Sequence, residues 1–234
     1  MRIFAIGDLH LSHSSGKPMD IFGDHWKNHH LRIEKNWREL ITEEDLVLLP
    51  GDLSWAMTLD EAEEDLIWLE SLPGRKIITK GNHDYWWSSI SGVKKRLTPG
   101  IIPLQHTAFD CEIAVITGTR GWITPLSEDY LKERDEKIYN RELGRLKMAL
   151  ESTAEFRKAG KPLIVMLHYP PVVCGESTEF SEMLSNEGVE LCIYGHIHNS
   201  PGQWAEGLDT ETGGVKYRLV SADYLDFRPL RISV

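Results

Sequence analysis

The chain has 234 residues, of which 41% are hydrophobic and 26% charged, a balance that can bury a sizeable core and excludes a long disordered tract. A formal net charge of -10 repels polyanions at long range and argues against binding long nucleic acid. Cys111, Cys174 and Cys192 form neither an even set nor a CxxC pair, which points to reduced thiols rather than a disulfide framework.

No Gly/Ser-rich or Pro-rich linker divides the sequence, so one domain over 1–234 is expected. No apolar run reaches membrane-spanning length, and no basic segment followed by an apolar stretch succeeds Met1. The expectation is a cytoplasmic protein without a membrane partner.

Short apolar runs rich in β-branched residues predict buried strands at Arg2 to Ile6, Asp45 to Leu49 and Lys76 to Thr79. Between them Ile33, Trp37, Leu40 and Ile41 share one helical face, and Leu59, Ala62, Leu66 and Leu69 share another, giving βαβαβ. Lys94, Lys95 and Arg96 read as a solvated helix face. A further strand over Ile113 to Thr117 precedes a long amphipathic helix from about Glu128 to Lys158, striped by Tyr139, Leu143, Leu146 and Leu150 and stopped by Gly160 and Pro162. Strands at Leu163 to Leu167, Leu191 to Tyr194, Val215 to Leu219 and Leu230 to Val234 complete an α/β pattern.

Polar groups cluster where these strands end. Asp8 and His10 follow the first in GDLH, Asp52 the second in PGDLS, and Asn82, His83 and Asp84 the third in KGNHD. His168 ends LIVML, while His196 and His198 end LCIYG in GHIH. Loops beyond the carboxyl ends of the strands of an α/β sheet converge on one crevice, so five loops would meet there. Each motif alone has a plain explanation: PGD as a turn and helix cap, KGNHD as a polar turn, His168 as a satisfied buried histidine. Together they supply carboxylate, imidazole and amide oxygen, a set that suits manganese, iron or zinc better than magnesium or calcium. One carboxylate can bridge two such ions roughly 3.5 to 4 Å apart.

The order DxH, GD, GNHD, H, GHxH resembles the calcineurin-like metallophosphoesterases over Asp8 to His198. The resemblance implies a four-layer α/β/β/α sandwich and two divalent metal ions. It implies that Asp8, His10 and His198 hold one ion, that Asn82, His168 and His196 hold the other, and that Asp52 bridges them. A hydroxide shared by the ions would attack a small phosphate-ester substrate, phosphodiester ahead of phosphomonoester, with His83 facing the scissile phosphate. Asp84 is expected to orient a neighbouring histidine or hold its loop.

The sequence departs from known branches of that family. It lacks the arginine that protein phosphatases carry after GD, and it ends GNHD in Asp rather than Glu. Trp55 stands where purple acid phosphatases place a ligating tyrosine, and His83 where lipid A pyrophosphatases place arginine. Arg120 and Trp122 in TGTRGWIT are candidates to bind the substrate phosphate and line the cleft. Tyr85 to Trp87 read as loop packing or a subunit contact, and Val172 to Phe180 as a segment able to overhang the ions. His13, His25, His29, His30 and His106 are expected in surface or packing roles. The rival readings are a non-catalytic protein-binding scaffold, and a nuclease or nucleotide hydrolase of the same fold.

Overall fold

The computed structural model describes residues 1–199 and 202–233. The first half alternates β1 (Ile3–Ala5), α1 (His29–Leu40), β2 (Leu46–Leu49), α2 (Glu63–Ser71), β3 (Arg75–Ile78), α3 (Ile90–Arg96) and β4 (Ile101–Pro103). The second contains β5 (Phe109–Asp110), β6 (Val115–Thr119), α4 (Lys132–Glu151), β7 (Leu163–Leu167), the β8 (Val172–Val173) and β9 (Glu176–Ser177) ribbon, α5 (Glu179–Asn186), β10 (Leu191–Tyr194), β11 (Thr210–Thr212) and β12 (Val215–Leu219). A last strand, β13 (Leu230–Ile232), returns to the first sheet. Val234, the end of the strand expected there, lies outside the described residues.

The sheets run β13-β1-β2-β3-β4 and β11-β12-β10-β7-β6-β5, with β1 to β4 and β6, β7, β10 and β12 mutually parallel. Strand alternation decides what each face covers. In β1 and β2, Phe4, Val47 and Leu49 pack under α1 and α2 with Ile33, Trp37, Leu66 and Leu69, while Ile3, Ala5, Leu46 and Leu48 point the other way. There they meet Ile116, Ile164, Met166 and Ile193 of the second sheet. The opposite face of that sheet, Leu163, Val165, Leu167 and Cys192, packs on Tyr139, Leu146, Phe180 and Leu184 of α4 and α5. Three apolar layers between four structural layers make the α/β/β/α sandwich. The strands read as unbroken apolar runs because both faces are buried.

The long helix is shorter than its stripe predicts. Asp135 accepts the backbone N–H of Leu131 at 2.8 Å and sets the start at Lys132. At the other end the hydroxyls of Ser152 and Thr153 donate to the carbonyls of Ala149 and Leu150, at 2.6 and 2.7 Å, and close the last turn. Helices α3 and α5 supplement the expected pattern, and Lys94 and Lys95 are exposed on α3. Among the described residues, no helix is long and apolar enough to cross a membrane. Cys111, Cys174 and Cys192 are unpaired.

Candidate metal centre

The loops after β1 and β2 extend the parallel pairing beyond the strands. Asp8 and His10 donate their N–H groups to the carbonyls of Gly51 and Asp52, both at 3.0 Å, and Leu11 pairs with Ser54. The second sheet joins at the same edge, where Gly7 donates to Val220 and Gly195 donates to His168. Asp8, His10, Asp52 and Asn82 thus come from one sheet and His168, His196 and His198 from the other.

Asp8, His10 and His198 place one potential ligand atom each within 4.8 Å of one another, and so do Asp8, Asp52 and His168. Nε2 of His10 and of His198 face each other at 3.2 Å. Oδ1 of Asn82 lies 2.6 Å from Nε2 of His168 and 2.8 Å from Nδ1 of His196. Oδ2 of Asp52 is 3.9 Å from Nε2 of His10 and 3.4 Å from Nε2 of His168, so it looks toward both groups. Asp8 also belongs to both.

The backbone makes this convergence at a cost. Asp8, His10, Asp52 and His196 have positive φ, at 55°, 44°, 51° and 73°. This region is sparsely populated by residues with a side chain, and such strain gathers at sites that need a fixed geometry. Two glycines make room for the acids: a Cβ on Gly81 would collide with the Asp52 carboxylate and one on Gly195 with that of Asp8.

Polar neighbours fix the ring orientations. Nδ1 of His198 meets Asp223 at 2.9 Å and Nδ1 of His168 meets the Pro50 carbonyl at 3.0 Å, so each ring presents Nε2 to the centre. Ser221 donates to Asp8 at 2.9 Å. Burial pulls the imidazoles of His10 and His196 down to about 3. Burial also pulls on His168 and His198, but Asp52 raises the first to about 8, and Asp223 and Asp8 raise the second to about 10. Burial pushes the Asp8 and Asp52 carboxyls up, and the neighbouring imidazoles, His198 foremost for Asp8 and His168 for Asp52, more than reverse it. Two carboxylates and lone-pair nitrogens aimed at shared points are a donor set that fits two divalent cations, whose charge would replace the protons on His168 and His198.

Asp84 is fully buried and faces no histidine. Its carboxylate accepts five N–H groups, from the backbones of Asp52, Leu53, Ser54 and Gly81 and from the indole of Trp86, at 2.8 to 3.2 Å. It ties the GD loop to the GNHD loop. Burial, and then the charge of Asp52, push it up to about 6 against the pull of these donors.

His83 lies beside the centre, half-buried. Its N–H donates to Oδ1 of Asp52 at 2.8 Å, and its ring sits 4.4 Å from Trp55 and 5.8 Å from His10. Burial lowers its pKa. Trp55 stacks on His10 at 4.9 Å and 23°. With Met19, Phe22 and Trp26 it walls a cavity of about 340 Å³ open to His10, His83 and His198. A second cavity, about 410 Å³, lies across His196 and His198 and is walled by Tyr169, Val172, Val173 and Leu208. His198 lines both.

Neither Arg120 nor Trp122 lines these two cavities. Trp122 donates to Asp135 at 3.1 Å and rests 5.1 Å from Tyr169, which covers His196 at 4.1 Å. Arg120 turns toward Glu142 of α4 at 3.3 Å. Trp86 and Trp87 are buried and Tyr85 is exposed. His13 pairs with Asp65 at 2.7 Å, His29 bonds the Leu9 and Trp26 carbonyls, and His25 borders the aromatic cavity. Sequence reasoning missed Ser221 and Asp223. The segment SAD follows the strand ending at Leu219, so the rule that located the other groups also applies there.

A family model described as calcineurin-like phosphoesterase matches residues 1–200. The "Gene 66 protein" of Mycobacterium phage L5 is 31% identical over 77 residues, 33% of this chain and 37% of that protein. A "probable cyclic nucleotide phosphodiesterase" of Synechococcus sp. is 28% identical over 183 residues, 72% of this chain and 63% of that protein. The chain thus spans under two thirds of the length of either relative. A solved structure of a protein of unknown function, AQ665 from Aquifex aeolicus, superposes with a TM-score of 0.54 at 17% identity, covering 98% of this chain and 95% of that one, and so shares the fold.

Proposed function

The chain belongs to the calcineurin-like phosphoesterase family, whose members act with divalent metal ions, and on that premise we propose that it hydrolyses a phosphodiester at a centre of two such ions. Asp8, His10 and His198 would hold one ion and Asn82, His168 and His196 the other, with Asp52 between them. The observation that carries this reading is the Asp52 carboxylate oxygen facing both His10 and His168 where the two sheets meet. Manganese, iron or zinc suits the donors. When bound, such ions would supply Lewis acidity for the phosphate and make hydroxide available near neutral pH.

The chain's own side chains do the remaining work. Asp84 holds the GD and GNHD loops in register, and Asp223 fixes which nitrogen of His198 faces inward. His83 is clamped between Asp52 and Trp55 at the mouth of the aromatic cavity. From there its ring N–H can donate to a phosphate oxygen or to the departing alkoxide. Trp55 and Trp26 give that side an apolar wall. The preference for a diester rests on the two cavities that meet at His198, one for each arm of the ester. The description of the Synechococcus relative as a cyclic nucleotide phosphodiesterase supports the same class.

The test is metal content of the purified chain together with manganese-dependent turnover of bis(p-nitrophenyl) phosphate and of p-nitrophenyl phosphate, with Asp52→Asn as control. About two ions per chain, faster turnover of the diester and loss of both properties in the variant are expected. Absence of bound metal would move the protein-binding scaffold to first place.

A further inference from the structure

A third cavity, about 220 Å³, opens between the two sheets beside the metal centre but shares no residue with the cavities that flank it. The ends of β3, β4 and β6 and one flank of α4 surround it. Four cationic side chains line it, Lys80, Arg120, Arg141 and Arg145, against a single carboxylate, Glu142. In a chain of net charge -10 this is a local inversion of the field. No basic run in the sequence announces it, because the four residues come from three separate elements.

Two observations show that the cluster is not neutralised from within. Glu142 is fully buried and saturated: its carboxylate lies 3.3 Å from Arg120 and 2.6 Å from Arg145 and accepts the Thr119 hydroxyl at 3.2 Å. It holds the guanidinium groups in place but balances only one charge. Around the same cavity, Thr79 Oγ1, Gln105 Oε1, His106 Nε2 and Arg120 Nε are buried without a partner. Buried polar atoms are rarely left so, and four bordering one space suit it to a polar occupant. Burial and then the charge of Arg120 pull Lys80 down, and burial lowers Arg120 against the opposing pull of Glu142.

We propose that this cavity is a binding site for a small tetrahedral dianion of the phosphate class, separate from the metal centre. Its volume is below the roughly 300 to 1,000 Å³ typical of pockets for larger organic ligands and suits a small anion better than a whole nucleotide. Guanidinium forks match tetrahedral oxyanions. Hydrogen phosphate has oxygens to accept from Arg120, Arg145, Lys80 and Thr79, and an O–H that Gln105 Oε1 can accept. Sequestration of inorganic phosphate here is independent of any hydrolysis at the neighbouring centre.

Calorimetric titration of the metal-loaded full chain with inorganic phosphate tests it. Two sites are expected. Asp52→Asn should remove the one at the metals and keep the other, and Arg145→Gln and Lys80→Met should each weaken that second site about tenfold or more. Arg141→Gln, whose side chain is half-exposed at the rim, provides a variant with little risk to folding and should weaken the same site several-fold. Crystals soaked in tungstate should show an anomalous peak between Arg120 and Arg145. A single phosphate site abolished by Asp52→Asn, or affinities unchanged in the three cavity variants, would overturn the assignment.

Discussion

The carboxylate of Asp84 accepts the backbone N–H of Asp52 at 2.8 Å, across thirty-two positions of sequence, and the same group accepts the N–H of Gly81. An acid beside the proposed catalytic histidine therefore serves the backbone of two ligand loops. Asp84→Asn would present an amide N–H₂ where the site supplies only donors. It should cost about 3 kcal/mol of stability and reduce metal content, measurable by denaturant unfolding and by metal analysis of the same preparation. A variant with wild-type stability and metal content would show that the clamp is dispensable.

His83 should behave in the opposite way. Since its backbone rather than its ring contacts Asp52, His83→Ala should retain both ions while turnover falls by about 10²- to 10⁴-fold. Equal loss of metal in His83→Ala and Asp52→Asn would contradict the role given to the ring.

Stability of the metal-free chain should depend on pH in a defined sense. His168 and His198 are raised to about 8 and about 10 from an ordinary value of 6.5, after burial is outweighed by their acidic partners. Raised histidines contribute stability that is complete below 6.5 and is lost as pH rises through the folded-state values. Chelator-stripped protein is expected to lose thermal stability between about pH 6.5 and 10, whereas metal-loaded protein, with its protons already displaced, should keep its Tm over that interval. Parallel curves for the two forms would rule this linkage out.

Gly195→Ala probes the closeness of the sheets at the centre. The added methyl would strike the Asp8 carboxylate, so a loss of roughly 1 to 3 kcal/mol from overpacking is expected. Metal affinity should fall with it, read by competition against a chromogenic chelator. Unchanged affinity would mean that Asp8 can shift without consequence.

Much of this architecture is visible in the residues. Where both faces of a strand are covered, as in Leu46–Leu49 and Leu163–Leu167, the apolar run is unmistakable and its boundaries agree closely. Polar groups at the ends of such runs locate the candidate site. What stays hidden has physical causes. Edge strand β4 spans three residues and ends in Pro103, whose missing N–H is tolerated only at an edge or a strand end. Helix α5 is capped by Thr178 with Ser181 where a Glu or Gln would advertise the box. The left-handed backbone of Asp8, His10, Asp52 and His196 leaves no trace in composition, because it is imposed by the meeting of two sheets. Nor does any local pattern reveal that Arg120 turns to Glu142, a partner on a helix that follows in the chain.

The antiparallel pairing of Ile3 with Ile232 has a practical consequence. It sets the beginning of the first strand beside the final one, at the end of the sheet remote from the ligand loops. A label on the exposed Ser233, one position beyond that pairing, would hang from the base of the molecule and leave the mouth between Trp55 and His198 unobstructed. A sample held by that position would turn the candidate metal centre toward solution.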